Sequence, residues 1–162
     1  DKRFMLERAA VGAAEGRATM HLSDVDVIST MTPEWVEACR KQPHLAHANW
    51  TECEVEVTTL DRLIERHGVP DFTKIDVEGF EEEVLMGLTQ PVAALSFEFT
   101  TIQRDVARAC VARCAALGLT QFNGAIGESQ EISDWRSAET IGRWLDELPH
   151  EANSGDVYAL RP

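Results

Sequence analysis

Two acidic residues, Asp76 and Glu78, lie at the end of an apolar stretch, Phe72–Val77, that has the composition of a β-strand. If the chain stays extended as far as Glu78, a period of two places both carboxylates and Lys74 on one side, with the carboxylates about 6–7 Å apart. Gly79 then allows a sharp turn. Ligands of open α/β sheets bind beyond the carboxyl ends of the strands. A carboxylate at that edge can accept a proton from a bound hydroxyl, so Asp76 and Glu78 are candidate catalytic residues.

The same two carboxylates also have a structural interpretation. A predicted helix, Phe80–Leu88, begins just after them. A carboxylate near a helix N-terminus is stabilised whatever its function. Asp76 and Glu78 would then cap this helix and pair with Lys74. The sequence leaves both interpretations open.

Three further residues are candidates for binding a substrate. Glu98 lies at the end of the next predicted strand, Val92–Phe99, although it could instead be a carboxylate at the solvated rim. His44 and His47 lie in an irregular region between residues 23 and 52. Long irregular insertions are often functional, so these two histidines could line a substrate pocket. The alternative is that they are ordinary surface residues.

Strands and helices alternate along most of the chain. This alternation predicts an α/β layered fold with a largely parallel sheet. The predicted strands are Phe4–Val11, Ala18–Leu22, Cys53–Val57, Phe72–Val77, Val92–Phe99, Leu119–Phe122 and Asp156–Leu160, and the predicted helices are Leu60–His67, Phe80–Leu88, Gln103–Leu117 and one capped by Ser137.

Length and composition limit the possible classes of protein. The 162 residues are enough for one domain with a buried core, so we expect a single domain over residues 1–162. The net charge of −13 argues against a nucleic-acid partner, because phosphates are bound by Lys and Arg. No apolar run approaches the ~20 residues of a membrane span, and the N-terminal residues lack the apolar core of a signal peptide. We therefore expect no membrane partner and a cytoplasmic location. The four cysteines form no CxxC pair, so free thiols and no metal site are expected.

Two motifs resemble those of a known family. Val57–Leu63 reads VTTLDRL, and Asp71–Glu81 reads DFTKIDVEGFE. Together they resemble the FkbM family of methyltransferases. Shorter stretches that also resemble the family are Ala9–Gly12, Gly16–Thr19, Leu95–Glu98 and Gly155–Leu160, so that the resemblance runs from about Ala9 to Leu160.

The resemblance implies a Rossmann-like fold and an activity. The family transfers a methyl group from S-adenosylmethionine to a small-molecule acceptor, often a hydroxyl of a sugar or polyketide. It also implies a Gly-rich turn and an acidic residue that hold the cofactor, and neither precedes Phe4. We therefore expect that two N-terminal βα units are missing. This chain alone would keep only the adenine side of the cofactor site, near Ala10 and Val11, and would be inactive.

Two expectations about partners follow from this reading. A sheet edge left open by missing strands could pair with another copy, so a homo-oligomer is possible. The alternative to an enzyme is a non-catalytic α/β module that serves assembly or partner binding.

Overall fold

The computed structural model of the chain describes residues 4–25, 28–43, 45–129 and 131–162. Within these residues the chain forms seven strands and five α-helices. In chain order they are β1 (Ala10–Val11), β2 (Gly16–Ser23), α1 (Pro33–Arg40), β3 (Trp50–Thr58), α2 (Leu60–His67), β4 (Thr73–Ile75), α3 (Glu81–Met86), β5 (Ala94–Thr100), α4 (Arg104–Ala116), β6 (Gln121–Ile126), α5 (Ala138–Glu147) and β7 (Ser154–Leu160), with a 3-10 turn, His150–Ala152, before β7.

The strands form two sheets, in the orders β1-β3-β2 and β4-β5-β7-β6. The pairs β1–β3 and β4–β5 are parallel, whereas β2–β3, β5–β7 and β6–β7 are antiparallel. The mixed α/β architecture is thus confirmed. The largely parallel sheet expected from the sequence is not, because three of the five strand pairs among the described residues are antiparallel. The missing N-terminal βα units stay a prediction.

The direction of β7 shows why the alternation of strands and helices misleads. Helix α5 lies between β6 and β7, an order typical of a parallel crossover. However, Gly127, just after β6, donates its N–H to the carbonyl of Ser154 at 2.8 Å. β7 therefore begins at the sheet edge where β6 ends. It has to run in the opposite direction.

Two helices begin at side-chain caps that the sequence predicts. The Thr59 hydroxyl accepts the N–H of Arg62 at the start of α2, and the Ser137 hydroxyl accepts the N–H of Thr140 at the start of α5. Each bond satisfies a backbone donor that the first helical turn leaves free. Helix α2 then ends at Gly68, whose φ of +92° is readily adopted only by glycine.

The main core lies between the four-stranded sheet and helices α3, α4 and α5, with α4 packed against both α3 and α5. Burying one Val, Leu, Ile, Phe or Met side chain in such a core contributes roughly 1.5–3 kcal/mol to the stability of the fold. All four cysteines are free thiols, as the sequence predicts. No helix in the described part of the chain combines the length and apolar character that a membrane span needs. Fully buried core residues are Leu85, Leu95, Phe97, Cys110, Cys114, Phe122, Ile141, Leu145 and Val157.

A contact between two glycines joins the first sheet to α3. A Cβ atom on Gly87, the C-cap of α3, would lie 2.2 Å from the carbonyl oxygen of Gly12, the residue after β1. The carbonyl of Gly87 also accepts the N–H of Asp61, in the first turn of α2, at 3.1 Å. Helix α3 is therefore held against both β1 and α2.

We expect Gly87→Ala to destabilise the protein by about 1–3 kcal/mol, because the new methyl group would overlap the Gly12 carbonyl. Gly142→Ala in α5 is the matched control, since no atom lies within 4 Å of its Cβ position. That change should stabilise the protein by about 0.5–1 kcal/mol. Urea denaturation measures both free energies of unfolding. Equal stability of the two variants would contradict the close contact.

Candidate functional site

The chain turns sharply after β4. The strand ends at Ile75, two residues before the end that the sequence predicts. Glu78 has a φ of +53°, in the left-handed region, and Gly79 has a φ of +87°. The expected extended path as far as Glu78 is therefore wrong, and the period of two does not determine where this carboxylate lies.

Three carboxylates nevertheless meet beyond the end of β4, beside the last residues of β5. Asp76, Glu78 and Glu98 each offer an oxygen, and these oxygens all lie within 4.8 Å of one another. The parallel register of the two strands pairs Ile75 with Phe97, so Asp76 and Glu98 follow at neighbouring positions. We call Asp76, Glu78 and Glu98 the acid cluster.

The surroundings of the acid cluster disfavour full ionisation. Burial raises the pKa of Glu78 to about 7, with further contributions from Asp76 and Glu81. Burial likewise raises the pKa of Glu98 to about 8, with Asp76 and Glu78 contributing next. Glu98 is half-buried, so it is not the solvated rim carboxylate of the alternative interpretation. Both groups would exchange protons close to neutral pH.

The ion pair expected with Lys74 is present for Asp76 but, among the described residues, not for Glu78, and the expected helix cap is absent. The Nζ atom of Lys74 lies 3.5 Å from Asp76 Oδ2 and also contacts Asp156. Helix α3 has Phe80 at its N-cap, and no side chain accepts a capping hydrogen bond there. Of the two structural roles that the sequence allows for these carboxylates, only the ion pair is found, and Asp76 makes it.

Glu81 is buried and supports the turn, a role that the sequence does not predict. Glu81 is only 3% exposed, and its Oε1 accepts the N–H groups of Val77 at 3.3 Å and Gly79 at 3.2 Å. Burial raises its pKa, against the hydrogen bonds from the backbone. Its position in the first turn of a predicted helix was the one available signal, because acidic residues there often reach back to the preceding backbone.

The irregular region also contributes to the site. The Thr30 hydroxyl donates to the carbonyl of Glu78 at 2.7 Å, and the Thr32 hydroxyl donates to the carbonyl of Gly79 at 3.3 Å. Trp35, in α1, packs 3.4 Å from the Cβ position of Gly79. These contacts join residues far apart in the sequence, and no local pattern predicts them.

A pocket of about 190 Å³ adjoins the acid cluster. Its lining includes Ala10 and Val11, which the family resemblance assigns to the cofactor, together with Thr30, Asp76 and Val77. The structure thus brings two of the predicted groups of site residues to one place.

The histidines are not brought to the pocket. His47 is exposed, and it is not among the residues that line the pocket. His44 lies outside the described residues. A substrate role for either histidine stays a prediction.

The pocket fits part of a nucleoside cofactor but not all of it. Sites that enclose a whole ligand of drug size usually have about 300–1,000 Å³, above the 190 Å³ found here. Ala10 and Val11 offer an apolar wall suited to a flat ring, and Asp76 offers a hydrogen-bond acceptor. The acid cluster itself could hold a divalent cation, since carboxylate oxygens are the ligands that Mg²⁺ and Ca²⁺ prefer. Clusters of exposed acidic side chains are also common in proteins that bind no cation at them.

A larger groove, of about 380 Å³, runs along β4 and α2. Its lining is mainly apolar, with Leu60, Ile64 and Phe72 among its residues, and it reaches Lys74. None of the acid cluster lines it. We place the candidate site at the smaller pocket because Asp76 lines it and the rest of the acid cluster lies within 4.8 Å of Asp76.

Comparison with models of protein families identifies a family for this chain. Residues 1–154 match the family model for the methyltransferase FkbM domain. This range is close to the one over which the motifs resemble that family. No curated protein matches the chain.

The raised pKa of Glu98 predicts a pH-dependent stability. A carboxyl group with a higher pKa in the folded state stabilises that state fully below its ordinary pKa of 4.5, and this stabilisation is lost as the pH rises through about 8. Between pH 5 and 8, Glu98→Gln should therefore become steadily more stable relative to the wild type, because an amide does not ionise. Urea denaturation across this range measures the difference. The exposed Glu83, changed to Gln, is the control and should follow the wild type; a Glu98→Gln curve parallel to both would contradict the burial of this carboxyl.

Proposed function

The chain belongs to the FkbM methyltransferase family, and from this premise we propose that it methylates a hydroxyl of a small molecule, such as a sugar, with S-adenosylmethionine as the methyl donor. The observation that carries the proposal is the acid cluster beside the pocket of Ala10, Val11 and Asp76. Methyl transfer to a hydroxyl requires the acceptor oxygen to be aligned and its proton to be removed. The two parts of this site match those two tasks.

Proton removal is assigned to Glu78. With a pKa of about 7, part of Glu78 is ionised at neutral pH and can accept the hydroxyl proton, while the protonated fraction can return it to solvent. Glu98, with a pKa of about 8, is mostly protonated under the same conditions. Its carboxyl O–H can donate a hydrogen bond to the acceptor and hold it in place. Two carboxyls that titrate close together can thus take different roles.

The cofactor is assigned to the pocket between β1 and the end of β4. S-adenosylmethionine, when bound, supplies an electrophilic methyl group on a positively charged sulfur. Ala10 and Val11 would pack against its adenine ring, and Asp76 would attract its positive charge. Because the pocket is smaller than the whole molecule, we expect these residues to hold one end and the affinity of this chain to be low.

An NMR titration tests this assignment. Adding S-adenosylmethionine at millimolar concentration to the ¹⁵N-labelled chain should shift the amide signals of Ala10, Val11 and Val77, because these residues line the pocket. Asp76→Asn should weaken the response by removing the charge that attracts the sulfonium. ATP serves as the control ligand, since its triphosphate is repelled by the acid cluster.

Other responses would contradict the assignment. Shifts confined to Leu60, Ile64 and Phe72 would place the ligand in the larger groove instead. The absence of any shift at saturating concentration would favour the non-catalytic module. Tight, micromolar binding would contradict the argument from pocket volume.

Turnover tests the roles of Asp76 and Glu78. In a form of the protein that releases S-adenosylhomocysteine with a panel of hydroxyl-bearing acceptors, Glu78→Gln should lower the rate by about 10²–10⁴-fold, the usual contribution of a general base. Asp76→Asn should lower it through weaker binding of the positively charged cofactor, so that the KM for S-adenosylmethionine rises. Both changes keep the size of the side chain and remove its charge. Thermal melting of the same variants shows whether packing is affected. Near-normal turnover with a lowered melting temperature would make the two residues structural.

A further inference from the structure

Glu81 takes no part in the proposed chemistry, yet its carboxylate is buried beside the site. One oxygen, Oε1, accepts the N–H of Val77 and the N–H of Gly79, the two residues on either side of Glu78. A carboxylate buried to this extent needs hydrogen bonds to offset the loss of water. Here those bonds go to the loop that carries Glu78, so Glu81 links the start of α3 to this loop.

The opposite side of the loop is held by the irregular region. Thr30, only 1% exposed, donates its hydroxyl proton to the carbonyl of Glu78 at 2.7 Å. The hydroxyl of Thr32 donates to the carbonyl of Gly79. Side chains from two distant parts of the chain therefore satisfy the N–H groups and the carbonyls around Glu78.

The loop needs this support because its conformation is intrinsically unfavourable. A residue with a Cβ atom rarely adopts a positive φ, and Glu78 has a φ of +53°. Gly79 has a φ of +87°, which residues with a Cβ atom rarely adopt, and a Cβ atom there would lie 2.5 Å from Gln103 Oε1 and force that side chain to move. Without bonds from outside the loop, Glu78 would relax towards the extended conformation, and its carboxylate would leave the acid cluster.

We propose that Glu81 is a positioning residue: its buried carboxylate holds Glu78 in the left-handed conformation that brings the Glu78 carboxylate beside Asp76 and Glu98. The importance of Glu81 for catalysis rests on the proposed function of the acid cluster. Its effect on the conformation of Glu78 does not, and it can be measured without a substrate.

Two substitutions of similar size separate hydrogen bonding from charge. Glu81→Gln removes the charge but keeps an oxygen that can accept both N–H groups, whereas Glu81→Leu removes both the charge and the acceptor. The readouts are the amide-to-Hα NOE within Glu78, which is strong at positive φ, and the titration of its side-chain carboxyl by ¹³C NMR. Burial, Asp76 and Glu81 raise the pKa of this carboxyl. Glu98 and the thiol of Cys39 also lie close enough for their pKa values to be raised by the Glu78 charge.

We expect Glu81→Gln to keep the strong NOE and Glu81→Leu to lose it. In the Leu variant the pKa of Glu78 should fall from about 7 towards 4.5, further than in the Gln variant, because the side chain moves into water. Misplacement of this size should also lower turnover by about 10²-fold in an active form of the protein. Glu82→Gln, an exposed change of the same charge one residue away, should leave both NMR readouts unchanged.

The result that overturns the proposal is a Leu variant that melts at a lower temperature but keeps the NOE and the titration of the wild type, since Glu81 would then only stabilise the fold. If Glu81→Leu does not fold, Glu81→Ala provides the test, because it removes the same acceptor without placing an apolar side chain of similar size in the site. An unchanged NOE in Glu81→Ala would equally overturn the proposal. Failure of S-adenosylmethionine to bind would instead contradict the proposed function and leave these NMR results standing.

Discussion

The parallel pairing of β4 with β5 is the constraint on which the candidate site depends. It pairs Ile75 with Phe97 and so places Asp76, just after the end of β4, beside Glu98 in β5. The third carboxylate, Glu78, joins them only because the loop turns back. Two unit charges 4.8 Å apart, at an effective dielectric constant of about 20, repel each other by roughly 3.5 kcal/mol. Burial is the main reason why the pKa values of Glu78 and Glu98 are raised, and repulsion from neighbouring carboxylates, Asp76 first, adds to it.

The structure resolves this conflict by partial protonation and by one ion pair. Lys74 contacts Asp76 and Asp156 at the cluster, and its charge offsets part of the acidity. Burial, with a smaller contribution from the neighbouring negative charges, still raises the pKa of Glu78 to about 7 and that of Glu98 to about 8. Perturbed carboxyls beside a pocket are typical of functional sites, although structural networks also produce them. Family membership and the adjoining pocket favour the functional explanation here.

The sequence predicts the features that depend on neighbouring residues, but not those that depend on contacts between residues far apart in the chain. Helices α2 and α5 follow from local signals, the caps Thr59 and Ser137 and the apolar spacing after them. Asp76 and Glu98 could be assigned to the site because each follows a recognisable strand. The turn at Glu78 could not, since it depends on Thr30, which is 48 residues away, and on a carboxylate whose burial no pattern shows. The direction of β7 was missed for the same reason, because only a contact at the far end of β6 determines it.

Helix α3 connects the loop that carries Glu78 with the turn that follows β1. This six-residue helix, about 9 Å long, begins at Glu81, beneath the acid cluster, and ends at Gly87, against the turn that follows β1. The ring of Phe80, at its N-cap, lies 3.2 Å from the Cβ position of the same Gly12. Contacts at both of its ends therefore tie this helix to the turn after β1 and to the loop of Glu78. The strand of Ala10 and Val11 and the loop that carries Glu78 are thereby joined through α3, even though no strand pairing joins the two sheets among the described strands.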